Sequence, residues 1–220
     1  MARKPVLREF AVIGLGRFGS SLALKLTALG HAVLGIDCNQ PIVQALADQL
    51  SQTLAFDATE EDALATVGIT DFETVIVAIA SNFESNLMIT VLLKELGVKH
   101  VICKASTERQ QAILMRIGAD QVILPEHEMG VQLAHRLVSP FILDRLELEP
   151  GISVCEIRAP KGLVGRTLGE LQLRERYNLS VLFIKGQRLV PAPGSRERIA
   201  AQDVLVLIGP DDAIAQMEQI

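Results

Sequence analysis

The sequence predicts an α/β fold, a parallel sheet with helices on both faces, followed by a smaller α+β domain. Three observations predict it. The apolar run Phe10-Ala-Val-Ile13 leads directly into Gly14-x-Gly16-x-x-Gly19, and an amphipathic stretch from Ser20 to Leu29 follows. Further short apolar runs alternate with stretches of helical period as far as Leu124. From Leu146 the pattern changes to short segments of alternating polarity. A strand, a glycine turn and a helix, repeated as strand and helix, give a parallel sheet whose ligand lies at the carboxyl ends of the strands.

The glycine turn is the Rossmann-like fingerprint of a nucleotide site. Gly14 permits the tight turn, Gly16 lets backbone approach a pyrophosphate, and Gly19 lets helix and strand pack closely. The helix N-terminus behind them favours an anion. Gly30 stops that helix, and the second strand ends at Asp37, about 20 residues beyond the glycines. A carboxylate there accepts hydrogen bonds from ribose hydroxyls; the competing reading is a helix N-cap, because Pro41 follows.

The third strand, Gln52 to Phe56, ends in Asp57-Ala58-Thr59-Glu60-Glu61. Thr59 with Asp62 reads as a capping box, leaving Asp57 and Ala58 on the turn where a base could lie. Thr74 to Ala80 is a Val/Ile-rich run of the kind buried on both faces. Ser81 and Glu84 repeat the cap spacing after it. Val98 to Lys104 is the fifth strand, which brings Lys104 to the same sheet end. A helix from Thr107 to Ile117 stops at Gly118, and the sixth strand, Gln121 to Leu124, ends at Pro125-Glu126.

Met129 to Leu143 carries apolar residues at helical spacing and reads as one helix, packed on its own sheet or crossing to a second subunit. Beyond the break at Glu149-Pro150-Gly151, strands are predicted over Ile152–Ile157, Leu179–Lys185, Arg188–Val190 and Asp203–Gly209. Gly186-Gln187 is a turn, and a closing helix runs from Asp211 to Gln219.

With 220 residues, 49% of them hydrophobic, the chain can bury one large domain and one small one. A formal charge of −5 gives no electrostatic reason to expect binding to nucleic acid or anionic lipid. No apolar run approaches the roughly 20 residues of a membrane span, and the basic N-terminus leads into no signal-peptide core. A soluble, cytoplasmic protein without direct membrane insertion is expected. Its three cysteines, Cys38, Cys103 and Cys155, are odd in number and far apart, which fits buried, reduced thiols better than a disulfide framework or zinc site.

No H-E-x-x-H, C-x-x-C or G-x-S-x-G pattern occurs, and none of the four histidines lies in the C-terminal domain. The sequence therefore holds a nucleotide site without a reaction, and the expectation is that the chain is not an enzyme. Arg17, inside the glycine turn, is either solvent-facing or turned towards ligand phosphate, where its guanidinium bonds bidentately. A cation there leans the nucleotide from NAD towards ATP and ADP. Lys104 is either an ordinary surface lysine or a contact to phosphate or carboxylate.

The run Phe10-Ala-Val-Ile-Gly-Leu-Gly-Arg-Phe-Gly19, with Asp37, Asp57-Ala-Thr-Glu60, Gly118-Ala-Asp120, Pro125-Glu126 and Met129-Gly130, resembles the regulator-of-potassium-conductance family. Within that family it resembles the cytosolic regulatory subunits of Ktr/Trk-type potassium-uptake systems. The resemblance covers the whole chain: a nucleotide-binding lobe with crossover helix over 1–144, and a TrkA-C type lobe over 145–220. It implies dimers assembled into an octameric ring under a membrane potassium-translocating subunit, with ATP and ADP holding different ring shapes. By position it implies phosphate contacts at Gly14, Gly16, Arg17 and Gly19, with Phe18 a further cofactor-binding position, ribose at Asp37, and the adenine edge at Asp57 and Ala58. Ser81 and Lys104 would line the pocket, and Glu126 would lie near the γ-phosphate, where Mg2+ or Ca2+ balances charge. Cyclic di-adenosine monophosphate (cyclic di-AMP) could occupy the second lobe near Ile184–Pro193, Arg196 and Arg198. The rival reading is an NAD(H)-responsive regulator or a minimal NAD-dependent reductase.

Overall fold

The structure is a computed structural model and describes residues 7–139 and 141–217. It divides into two compact units, residues 1–127 and 128–220. In the first unit the order is β1 (Glu9–Ile13), α1 (Arg17–Ala28), β2 (Ala32–Asp37), α2 (Gln40–Leu46), β3 (Gln52–Ala55) and α3 (Glu61–Thr66). It continues with β4 (Thr74–Val77), α4 (Phe83–Glu95), β5 (His100–Lys104), α5 (Glu108–Arg116) and β6 (Gln121–Ile123). Six strands form one parallel sheet in the order β3-β2-β1-β4-β5-β6, the Rossmann-like arrangement expected.

The continuous apolar runs have a direct explanation. Successive strand residues point to opposite faces, and both faces of this sheet are covered. Ala11, Ile13, Val75 and Val77 pack with Leu64, Leu93 and Leu114 of α3, α4 and α5. Val12, Val33 and Ile76 pack with Ala23, Val43 and Leu46 of α1 and α2. Order reverses between β1, whose other neighbour is β2, and β4, whose other neighbour is β5. The crevice at the carboxyl ends of β1 and β4 is therefore a topological switch point.

Several local expectations are corrected. Helix α1 starts at Arg17 rather than Ser20, with Gly16 as its N-cap. Thr59 does not cap α3: Glu60 is the N-cap residue, and the Thr59 N–H and hydroxyl both donate to Asp57 Oδ1. The cap of α4 is Asn82, accepting from the Ser85 N–H, and not Ser81. Strand β4 stops at Val77 instead of Ala80, because its ladder with β1 ends where β1 enters the glycine turn.

The helix read over Met129–Leu143 is α6 (Pro125–Val138). Residues before a proline are biased away from helical geometry, and Ser139 precedes Pro140 in the sequence. Strand β7 (Ile142–Glu149) follows, and the lobe boundary read from sequence, 144/145, lies within it.

In the second unit β7 is joined by β8 (Ile152–Arg158), α7 (Leu168–Leu171), α8 (Leu173–Tyr177), β9 (Ser180–Lys185), β10 (Leu189–Pro191), β11 (Val204–Pro210) and α9 (Asp211–Gln216). The sheet is antiparallel, ordered β10-β9-β11-β8-β7. Its core holds Cys155, Ile157, Leu179, Leu205, Leu207 and Ile214. Residues 218–219 of the closing helix read from sequence lie outside the described residues.

Helix α4 gives a paired test of the buried face. Leu93 is fully buried and Met88 is half exposed. Leu93→Ala should destabilise the first unit by about 2–5 kcal/mol, and Met88→Ala by no more than about 0.5 kcal/mol, as measured by urea denaturation.

Candidate functional site

The site begins at the glycine turn. Gly14 has φ +92°, and a Cβ there would come within 2.8 Å of Ile79 Cγ1. Its N–H donates to Ile36 O at 2.7 Å, and the next N–H, of Leu15, donates to Asp37 Oδ2 at 2.7 Å. Gly19 is buried against the turn itself, for a Cβ there would lie 1.9 Å from the Gly14 carbonyl oxygen. Gly16 is different: a Cβ on it would meet nothing within 4 Å. Protein packing explains Gly14 and Gly19, and leaves Gly16 to be explained by whatever approaches it.

The N-terminus of α1 points to the same approach. The first N–H groups of a helix have no partner within it, and together they carry partial positive charge. Here the N-cap is a glycine without a side-chain cap, and no acidic residue stands in the first turn. Arg17, a cation, occupies the first helical position. That placement opposes the helix dipole and is complemented by an anion.

A cavity of about 970 Å³ opens at this end of the sheet. Gly14, Gly16, Arg17, Phe18, Asp37, Asp57, Ala58, Ser81, Lys104 and Glu126 all line it. Of the residues expected at the site, only Gly19 stands behind the lining. Asp37 is not the N-cap of α2, since Asn39 holds that position; Asp37 ties two turns together, its Oδ1 accepting from the Asn39 N–H at 2.8 Å. Carboxylate oxygens have further lone pairs for ligand hydroxyls. Asp57 closes a turn on Thr59, and the backbone and hydroxyl bonds from Thr59 hold its carboxyl below the ordinary range. Ile13, Ile36, Phe56 and Ile79 give the cavity apolar wall.

Its charges gather at one side. Lys104 is 7% exposed, and its Nζ donates to Glu126 Oε1 at 2.5 Å. The same Nζ lies 5.6 Å from the Phe18 ring centroid, within cation–π range. The Lys104 hydrogen bond is the main cause holding the Glu126 carboxyl below its ordinary range, and Arg17 adds to it. Arg17, Lys104 and Glu126 thus form one electrostatic group. Among the described residues no cluster of three or more His, Cys, Asp or Glu could hold a metal by itself.

Two features escaped the sequence reading. Cys38 is exposed on the cavity wall, and only Cys103 and Cys155 are the buried thiols expected, pushed up to about 11 chiefly by burial. Asn86 is fully buried, donating to Ile79 O at 2.6 Å and Lys104 O at 2.9 Å. Its signal was a polar residue at a core position of α4, in the series Asn86, Ile89, Thr90, Leu93. In the second unit a separate cavity of about 830 Å³ is lined by Ile184, Lys185, Arg188 and Arg198. Arg196 is not among its lining residues; Arg188 pairs with Glu197, and Lys185 with Glu156.

The TrkA-N domain model matches residues 10–125, and the TrkA-C domain model residues 154–220. The chain is 38% identical to Ktr system potassium uptake protein C of Bacillus subtilis (strain 168), over 96% of both chains. It belongs to the TrkA-type regulator-of-potassium-conductance family. Ktr system potassium uptake protein A of the same organism is also 38% identical over 96% of both chains. Among solved structures of this fold, the GsuK channel has a TM-score of 0.73 at 20% identity, over 99% of this chain and 40% of the channel chain. The fold is shared by the GsuK channel bound to NAD (TM-score 0.56, 22% identity, 99% of this chain and 39% of that one). It is shared too by GsuK bound to ADP (TM-score 0.53, 17% identity, 60% of this chain and 36% of that one). Among the described residues no helix of this family member is long and apolar enough to cross a membrane.

The glycines separate packing from binding. Gly19→Ala should lower stability by about 1–3 kcal/mol or more through overpacking. Gly16→Ala should cost at most about 1 kcal/mol as a cap change while weakening nucleotide binding in calorimetry. Glu126 gives a pH test. Its folded pKa is depressed, so the pair stabilises above the unfolded value, about 4.3, and its contribution is lost as pH falls through the lower folded value. The Tm gap between the native chain and Glu126→Gln should therefore be open at neutral pH and closed at strongly acid pH; a gap independent of pH would reject the pair as its source.

Proposed function

We propose that the chain is the nucleotide-sensing regulatory subunit of a Ktr-type potassium-uptake system. In this reading it assembles as a ring of eight on a membrane potassium-translocating subunit, and bound ATP or ADP sets ion flow. It acts at the cytoplasmic face, as a regulator and not as an enzyme. Residues 1–144 serve as the nucleotide lobe with its crossover helix, and 145–220 as the second lobe. The relatives named as Ktr potassium-uptake proteins support the system.

The observation that carries the nucleotide reading is the convergence of Arg17 and Lys104 beside an uncapped helix N-terminus at one end of the cavity. Phosphates would lie against Gly14, Gly16, Arg17 and Phe18, ribose at Asp37, and base beside Asp57 and Ala58. ATP and ADP differ by the γ-phosphate, so discrimination falls to the charges nearest it. A ligand shifts an equilibrium only by its differential affinity for the two states. Glu126 is a single carboxylate already bonded to Lys104. It could hold Mg2+ or Ca2+ only with phosphate oxygens and water completing the shell, and such a cation would offset the charge between carboxylate and phosphate. The second-unit cavity bounded by Lys185, Arg188 and Arg198 is the place this reading gives to cyclic di-AMP.

The NAD-bound GsuK structure supports the rival, an NAD(H)-responsive regulator. Ranking ATP, ADP, NAD and NADH by thermal shift at equal concentration decides, since a ligand selective for the native state raises stability with occupancy. ATP and ADP should rank first; NADH first would overturn the assignment. Arg17→Ala should weaken ATP binding by about tenfold, ~1.4 kcal/mol, and ADP binding less, whereas equal loss would remove Arg17 as the discriminator. Asp37→Ala should weaken both nucleotides alike.

A further inference from the structure

The ladder between β4 and β5 runs from Thr74↔His100 to Val77↔Cys103 and then stops. Beyond it the two chains separate towards the cavity, and Ile79 and Lys104 lie past the last pair. Buried carbonyls left by such a separation need donors. One side chain supplies both. The Asn86 amide nitrogen donates to Ile79 O at 2.6 Å and to Lys104 O at 2.9 Å. Both partners are pure acceptors, so the amide orientation is fixed: nitrogen faces the strands and Oδ1 faces away. On that other side the Thr90 hydroxyl is 2.7 Å from Asn86 O, 3.3 Å from Asn86 Oδ1 and 3.2 Å from Cys103 Sγ. Helix α4 thereby grips the last two residues of β5, Cys103 and Lys104. Asn86, Thr90 and Cys103 are fully buried, so none of these groups can exchange its partner for solvent.

We propose that Asn86 is a positioning residue of the nucleotide site: its one amide joins the segment just past β4, at Ile79, to the end of β5 and sets where the Lys104 ammonium stands. The inference rests on the nucleotide reading of the cavity given above. Lys104 projects from the strand end that Asn86 holds, with its tip between the Phe18 ring and Glu126. Ser81 lies two residues beyond Ile79, which the same amide holds. Asn86 touches no ligand and acts through Lys104. Asparagine suits the position because its amide nitrogen carries two diverging N–H donors on a short stem. Aspartate has the same shape and would set a carboxylate oxygen against two carbonyls. Serine has one donor for two acceptors.

The test is a cycle of variants with ADP as the calorimetric probe. Asn86→Asp and Asn86→Ser are each made in the native chain and in Lys104→Met, with thermal transitions recorded for all. A residue acting through Lys104 loses its effect when Lys104 is gone. The Asn86 variants should weaken ADP binding about tenfold in the native chain, the scale of a misplaced charge-assisted contact, and less than about twofold beside Lys104→Met. The same fold-loss in both backgrounds would make Asn86 a structural residue only and overturn the proposal, as would undiminished affinity in either folded variant. Should Asn86→Asp fail to fold, Asn86→Ser carries the comparison. Failure of the nucleotide reading is told apart at once, because the native chain itself would then give no heat with ADP, and both conclusions would fall together.

Discussion

Helix α1 can leave β1 only by crossing it at a distance that no side chain at Gly19 would permit. A Cβ at Gly19 would sit 1.9 Å from the Gly14 carbonyl oxygen. That close crossing aims the helix N-terminus at the crevice and fixes the turn between. It has a counterpart one strand away. A Cβ at Gly35 would meet Leu50 and Leu15 side chains at 2.8 and 3.1 Å, so the leucine after Gly14 needs the space that Gly35 leaves. Asp37 then ties the two turns by accepting from the Leu15 and Asn39 N–H groups. Two glycines and a carboxylate thus hold in place a helix end that is electrostatically uncomfortable by itself.

The switch point creates the cavity and also a problem of backbone satisfaction. Where neighbouring strands part, their N–H and C=O groups lose ladder partners in a buried place, and each costs about 1–3 kcal/mol if left alone. Several of them have partners at the crevice. Gly14 N–H reaches Ile36 O, Ala78 N–H reaches Ile13 O, and Asn86 serves Ile79 O and Lys104 O. The cavity wall is therefore a set of strand ends held by specific bonds instead of a loose rim, and a rigid wall is what a site needs if it is to separate ligands that differ by one charged group.

How much of this was legible in the sequence depended on whether the signal was periodic. Six apolar runs in alternation with helical stretches sufficed for the sheet, because burial on both faces leaves a continuous Val/Ile record at β4 and β5. The spacing Gly14-x-Gly16-x-x-Gly19 followed by Asp37 placed the turn and the second strand end, since backbone geometry there tolerates few alternatives. Single-residue choices were less legible. Thr59 and Ser81 have the composition of caps, yet neighbouring Glu60 and Asn82 hold the N-cap positions, because several residues near each strand end can terminate a helix. Helix α6 ends at Val138, before Leu143, because a residue preceding a proline in sequence disfavours helix, a local veto on an apolar pattern that continued past it. Asn86 left only a polar letter in a buried helical series; its meaning depends on two carbonyls 7 and 18 residues away.

The charged end of the cavity shows why one cation alone does not define a phosphate site. Lys104 is already neutralised by Glu126 in the free chain, and its burial makes that partner necessary, since an unpaired buried ammonium is costly. A phosphate arriving there, on the proposed reading, does not meet a free lysine. It competes with a carboxylate, and leaves that carboxylate either displaced or close to new negative charge. Arg17 is exposed and its attraction to Glu126 is the smaller one; it stands at the positive end of α1, where an anion relieves repulsion. The first phosphates are therefore favoured by Arg17 and the helix, while each further negative charge is weighed against Glu126. On the proposed reading, Glu126 lowers the positive potential that two unpaired cations would present, so each further negative charge on a ligand gains less there.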